Sequence, residues 1–104
     1  MTDRVFGDPV PDGAPRRPGI GYIWDAQAEE WVFSKARAYY EIRKKRDRLL
    51  AETDYTQMPD YIASNPDMTE AWRQYRQALR DFPETCDPRN PVWPEKPQKK
   101  KGVE

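Results

Sequence analysis

Asp54, Asp60 and Cys86 are the side chains whose type could do chemistry. Two carboxylates can divide the acid and base roles of a hydrolysis between them. A thiol becomes a nucleophile when a nearby base or cation lowers its pKa. Neither finds the company it needs in this sequence. Asp54 and Asp60 bracket Tyr55-Thr56-Gln57-Met58-Pro59, and Asp and Thr beside a proline are ordinary turn residues. The chain has no histidine and a single cysteine. Cys86 therefore has no imidazole partner, no intramolecular disulfide forms, and no Cys/His zinc site can be assembled. No glycine-rich phosphate loop and no nucleophile motif occurs. The residues thus point away from an enzyme, a cofactor, a metal or a small-molecule substrate.

Lys44-Lys45-Arg46 offers a different chemistry, attraction to phosphate. The net charge is zero, which argues against a general polyanion binder. A charge run on a helix is more often a solvated face, so a DNA-binding accessory protein using a basic helix over 35–48 stands as the second reading. Recognition through aromatic side chains is the first. Trp24, Trp31, Trp72 and Trp93 carry much of the apolar surface, and aromatics dominate interface energetics.

The elements that must position these residues follow from spacing. Met68, Trp72, Tyr75, Leu79 and Phe82 recur at steps of four, three, four and three, one stripe of an α-helix. Asn65 or Asp67 can cap it, Pro66 suits its first turn, and Pro83 should stop it. Arg73, Gln74, Arg76, Gln77, Arg80 and Asp81 fall on its other face. Ser34 is a good N-cap for a second helix, Lys35 to Thr53, with Tyr39, Ile42, Leu49 and Leu50 as its buried stripe. Arg46 continues that stripe through its aliphatic stem. Glu52 to Glu70 carries acids and no base, and Pro59 keeps Met58 extended. Tyr55, Met58, Tyr61 and Ile62 are placed to close the end of a hairpin. The fold class is therefore mainly α: a two-helix antiparallel hairpin over 34–83, with Tyr39, Ile42, Leu49 and Leu50 against Trp72, Tyr75, Leu79 and Phe82.

Ahead of the helices, Tyr22-Ile23-Trp24 and Trp31-Val32-Phe33 read as a small aromatic β-hairpin over 20–33. Its connection, Asp25 to Glu30, is longer than a two-residue turn, and cross-strand aromatic pairs would hold it. Both ends are proline-rich. Pro9, Pro11, Pro15 and Pro18 fall in the leader 1–19, which is either a disordered leader or an extended arm ordered by a partner, with Val5, Phe6 and Val10 as anchors. Pro88, Pro91, Pro94 and Pro97 recur every third residue of 84–104, as on one edge of a polyproline II strap. Trp93 either docks into a partner or folds back on the helices, and 98–104 is a solvated tail. Neither end can build a backbone ladder, since proline lacks the donor. Order in both is expected to come from a partner. The candidate partner-binding residues are Val5, Phe6, Trp24, Trp31, Val92 and Trp93. Hydrophobic residues are 37% and charged residues 35% of 104, so any core is thin. No apolar run approaches the ~20 residues of a membrane span, and the start lacks a signal-peptide pattern. A cytoplasmic protein is expected.

Asp54-Tyr55-Thr56-Gln57-Met58-Pro59-Asp60, then Trp72, then Tyr75-Arg76-Gln77-Ala78-Leu79-Arg80-Asp81-Phe82-Pro83, then Pro91-Val92-Trp93-Pro94 form an ordered set. From Arg43 to Pro97 it resembles the phage tail assembly chaperone family, a pattern also met at the ends of some tail-fibre proteins. Tyr55 stands where that family usually has tryptophan. The resemblance implies protein–protein binding to phage tail, baseplate or tail-fibre proteins in the cytoplasm of the host cell. It leaves two modes: a chaperone that covers unassembled surface and leaves, or a small structural adaptor retained in the virion tail.

Overall fold

A computed structural model of the chain describes residues 4–98. Residues 1–3 of the expected arm and 99–104 of the expected tail lie outside that range. Strand β1 (Tyr22–Asp25) pairs antiparallel with β2 (Glu30–Phe33), Tyr22 opposite Phe33 and Trp24 opposite Trp31. Both aromatic pairs meet edge to face, at 5.5 and 5.3 Å between centroids, a geometry that adds to the area they bury. Asp25 Oδ1 accepts from the N–H groups of Gln27 and Ala28, and Glu29 turns the chain at a φ of 55°.

Helix α1 (Lys35–Glu52) starts as its sequence requires: the Ser34 hydroxyl accepts from the Arg37 N–H. It ends at Thr53, whose hydroxyl donates to the Leu49 carbonyl at 2.8 Å. The linker is more structured than a turn. A 3-10 turn (Asp54–Gln57) leads to α2 (Pro59–Ser64), and a second 3-10 turn (Pro66–Met68) leads to α3 (Thr69–Thr85). Among the described residues there are three α-helices rather than two. Pro59 explains the extra one: it holds Met58 extended at ψ 144° and supplies the preset φ of a first helical residue.

Two expectations at the ends of α3 are corrected. Neither Asn65 nor Asp67 caps it; the Asn65 side chain donates back to the Tyr61 carbonyl, and Met68 occupies the cap position without a side-chain bond. Pro83 does not stop it. The helix carries Pro83 inside and runs on to Thr85, with Cys86 N–H reaching the Phe82 carbonyl at 2.9 Å. A helical proline loses one backbone bond and crowds the preceding turn. Here Pro83 and Phe82 are both buried, and Trp93 stacks on Phe82 at 4.1 Å, so the last turn is held by packing.

Trp72, Tyr75 and Leu79 form the core of the helical part, with Leu49, Leu50, Tyr61, Met68 and Trp93 packed around them. Trp72 Nε1 donates to the Tyr61 hydroxyl at 3.0 Å, satisfying the one polar atom of the indole. Ile42 is buried, whereas Tyr39 is half-buried under the Arg43 guanidinium. Arg76 is the main departure from the amphipathic reading. Instead of joining the solvated face, it is 7% exposed and donates to Leu50 O, Thr53 Oγ1 and Asp54 Oδ1, each at 2.8 Å. It thereby adds a charged donor to the Leu50 carbonyl, which already accepts from the Thr53 N–H at 3.2 Å.

The proline-rich ends lie along this body. Gly7 lets the N-terminal arm approach β1, since a Cβ there would come within 2.8 Å of the Trp24 backbone. Asp8 N–H donates to Trp24 O at 2.9 Å, and Trp31 Nε1 to Pro15 O at 2.8 Å. Arg17 grips Glu41 of α1 with both guanidinium nitrogens, at 2.8 and 2.9 Å. Glu41 also accepts from Arg37 Nε and from the N–H of Gly21, which turns at a φ of 83°. At the other end the Arg89 guanidinium lies 4.0 Å over Phe33, and Trp93 sits between Phe82 and Lys45. The chain itself thus supplies contacts that only a partner was expected to provide.

Trp72→Ala should lower stability by about 3–5 kcal/mol, read from thermal or urea unfolding; an unchanged melt would show that this core does not hold the helices together. Arg76→Lys should cost about 1–3 kcal/mol, because one ammonium nitrogen cannot stand in for the two guanidinium nitrogens that reach these acceptors separately. Asp54→Asn should cost less than about 1 kcal/mol, since Asp54 is 60% exposed; equal losses would place the energy in the ion pair instead of the carbonyl cap. Burial pushes the Glu41 carboxyl up, but the bonds from Arg17, Gly21 and Arg37 and the charge of Arg17 outweigh it and hold it at about 2, below its ordinary 4.5. A lowered folded value means stability that is complete above about pH 4.5 and lost as pH falls toward 2. After discounting for solvent screening we expect about 1 kcal/mol, seen as loss of Gly21 amide protection, and absent in Glu41→Gln.

Candidate protein-binding surface

Asp54 is bound by Arg76. Asp60 opens α2, where a carboxylate suits the positive end of the helix. Burial first, and the Asp87 charge second, raise the pKa of the Cys86 thiol, which leaves it protonated and a poor nucleophile. Among the described residues no cluster of His, Cys, Asp or Glu could hold a metal ion, and no helix is long and apolar enough to cross a membrane.

What the surface does offer is apolar. Phe6 (65% exposed), Val10, Tyr55, Met58 and Val92 (77%) are the large hydrophobic side chains left open. None lies on α1 or α3. Phe6 and Val10 belong to the N-terminal arm, Val92 to the C-terminal strap, and Tyr55 and Met58 to the corner between α1 and α2. The corner is built to expose them. Thr53 and Thr56 turn inward and are fully buried, and the Thr56 hydroxyl donates to Thr53 O at 2.7 Å. Tyr55 is left outside, edge-on to Tyr61 at 5.3 Å.

The six side chains singled out from the sequence divide accordingly. Phe6 and Val92 are open. Val5 is half-buried, its carbonyl facing Arg37 at a long 3.5 Å. Trp24 is 5% exposed and packs inside the β-hairpin, so it supports the surface without forming it. Trp31 is half-buried and bonded to the arm. Trp93 folds back on α3 and α1, the second of its two readings. Tyr55 and Met58, expected from the sequence to close the hairpin end, are instead exposed. The signal lay in Pro59, which forces Met58 out of the helix.

A concave patch lies along the basic side of α1, lined by Phe6, Arg37, Tyr40, Glu41, Lys44, Lys45 and Arg48. Lys44 points at the Tyr40 ring and hydroxyl.

The model of the family described as phage tail assembly chaperone protein matches residues 39–98. That stretch takes in most of α1, the exposed corner, all of α3 and the strap with Trp93. No curated protein and no solved structure matches the chain. The match covers more than half of the 104 residues, and the chain belongs to the phage tail assembly chaperone family.

Proposed function

We propose that this protein works without catalysis, by binding phage tail, baseplate or tail-fibre proteins in the cytoplasm of the infected host before they assemble. One observation carries the reading: among the described residues, every large apolar side chain left open sits on an arm, a strap or a corner, while the faces of α1 and α3 are covered or charged. On this reading α1 and α3, run antiparallel, are the rigid platform, and Phe6, Val10, Tyr55, Met58 and Val92 are its contacts. Val5, Trp31 and Trp93 hold the arm and strap in place behind them. Covering apolar surface on an unassembled partner is a matter of burying such anchors in exchange for the partner's own.

The same contacts suit a small adaptor that stays in the tail, and quantitative mass spectrometry of purified virions separates the two modes. Stoichiometric copies mean retention; their absence means release. The DNA-binding reading draws on Lys44 and Lys45, but Glu41 sits within the same patch and the net charge is zero.

The test is co-expression with the tail and tail-fibre proteins of the same phage. Tyr55→Ser with Met58→Ser, and separately Phe6→Ser with Val92→Ser, should leave the helical circular dichroism unchanged, because these positions are more than half exposed. They should reduce the soluble yield of one tail protein by at least several-fold. Full yield with both double variants would overturn the assignment of this surface.

A further inference from the structure

Charge in this chain is segregated along α1 and its corner. From Glu52 to Glu70 there are five acids and no base: Glu52, Asp54, Asp60, Asp67 and Glu70. Three of these are matched locally, Glu52 by Arg48, Asp54 by Arg76 and Glu70 by Arg73. Among the described residues Asp60 and Asp67 make no ion pair. The opposite imbalance holds on α1, where Arg43, Lys44 and Lys45 meet only aromatic groups: Tyr39, Tyr40 and Trp93. The acid in their patch, Glu41, is already taken by Arg17 and Arg37.

Each region also carries open apolar groups. The acidic corner shows Tyr55 and Met58, 52% and 55% exposed. The basic patch shows Phe6, edge-on to Tyr40 at 5.5 Å. The two surfaces match in charge and in kind. The patch lies on α1 and the corner follows its end, Glu52 falling ~12 Å beyond Lys44 by the helical rise. Within one molecule they meet in the Arg48–Glu52 pair at their boundary, and a second copy can bring the unpaired Asp60 and Asp67 to Lys44.

We propose that the acidic corner of one molecule, Tyr55 to Asp67, docks on the basic patch of Phe6, Tyr40, Lys44 and Arg48 of another. The contact is head-to-tail, so each molecule keeps one surface of each kind free, and association continues into an open chain or closes into a ring. The inference does not depend on the chaperone reading; it would hold equally for a structural component. Isolated surface ion pairs are weak, so the aromatic contact sets the affinity, and the charges set the register and the salt dependence.

The experiment is sedimentation velocity of the full chain between ~10 μM and ~1 mM, at ~50 mM and ~500 mM salt, across which the Debye length falls about threefold. The expected result is an average mass that rises with concentration at low salt and returns to monomer at high salt. Lys44→Glu with Arg48→Glu should be monomeric alone, as should Asp60→Lys with Asp67→Lys. Mixing the two should restore association, which also shows that both variants are folded. A wild-type chain that stays monomeric throughout overturns the proposal. So do variants that associate as the wild type does, since another face would then be responsible. Retardation of random duplex DNA by the wild-type chain, lost in Lys44→Glu with Arg48→Glu and accompanied by no self-association, would assign the basic patch to nucleic acid instead.

Discussion

The structure depends on one buried guanidinium. Arg76 leaves α3, reaches the last turn of α1 and binds Leu50 O, Thr53 Oγ1 and Asp54 Oδ1. An α-helix ends with carbonyls that have no partner, and a buried one is costly. At Leu50 O the Thr53 N–H meets that need from within the chain's own cap, and Arg76 adds a charged donor from another element, tying the end of α1, the start of the linker and α3 together. Its Nε is buried without a hydrogen-bond partner, a cost that three charge-assisted bonds offset. The corner that exposes Tyr55 and Met58 is a consequence. Thr53 is bonded to the guanidinium and Thr56 to Thr53 O, both drawn inward, and Tyr55 and Met58 are left outside.

A chain with this little apolar material cannot cover its own ends with a core, and it uses charge and aromatic faces instead. The N-terminal arm is held by backbone bonds at Asp8 and Pro15 and by the fork of Arg17 on Glu41. The strap is held by stacking and by cations over rings, Lys45 on Trp93 and Arg89 on Phe33. Such contacts contribute about 0.5–2 kcal/mol each, far less than the ordering entropy of ten or more residues. They suffice because proline has already removed much of the freedom that would otherwise be lost. This explains why prolines crowd both ends and only Pro59 and Pro66 fall between.

Periodicity was a good guide wherever one stripe of a helix or one face of a strand was buried. The stripe Trp72, Tyr75, Leu79 and Phe82 is buried, and Tyr22–Phe33 and Trp24–Trp31 pair across the strands. It failed for Arg76, whose type suits a solvated face and whose burial is decided by the end of a different helix. It failed again at Pro83, where local chemistry ends a helix but stacking between Phe82 and Trp93 carries it on. The linker was only half legible: Pro59 marked the extension at Met58, yet α2 is six residues long, too short for any periodic signal. The open surface was legible by residue type but not by position. Trp24 and Trp93 are as aromatic as Tyr55, and only the fold decides which of them faces out.

The dispersal of the open side chains has a consequence for how such a protein binds. Burying one exposed Phe, Met or Val contributes about 1.5–3 kcal/mol. Association of two proteins costs about 4–15 kcal/mol in lost translational and rotational freedom before anything is gained. No single anchor on the arm, the corner or the strap can hold a partner. Several must engage at once, and they lie on different elements: Phe6 beside α1, Tyr55 and Met58 at its far end, Val92 after α3. A partner that fits must therefore present separated apolar sites in one arrangement, which selects for shape more than for sequence.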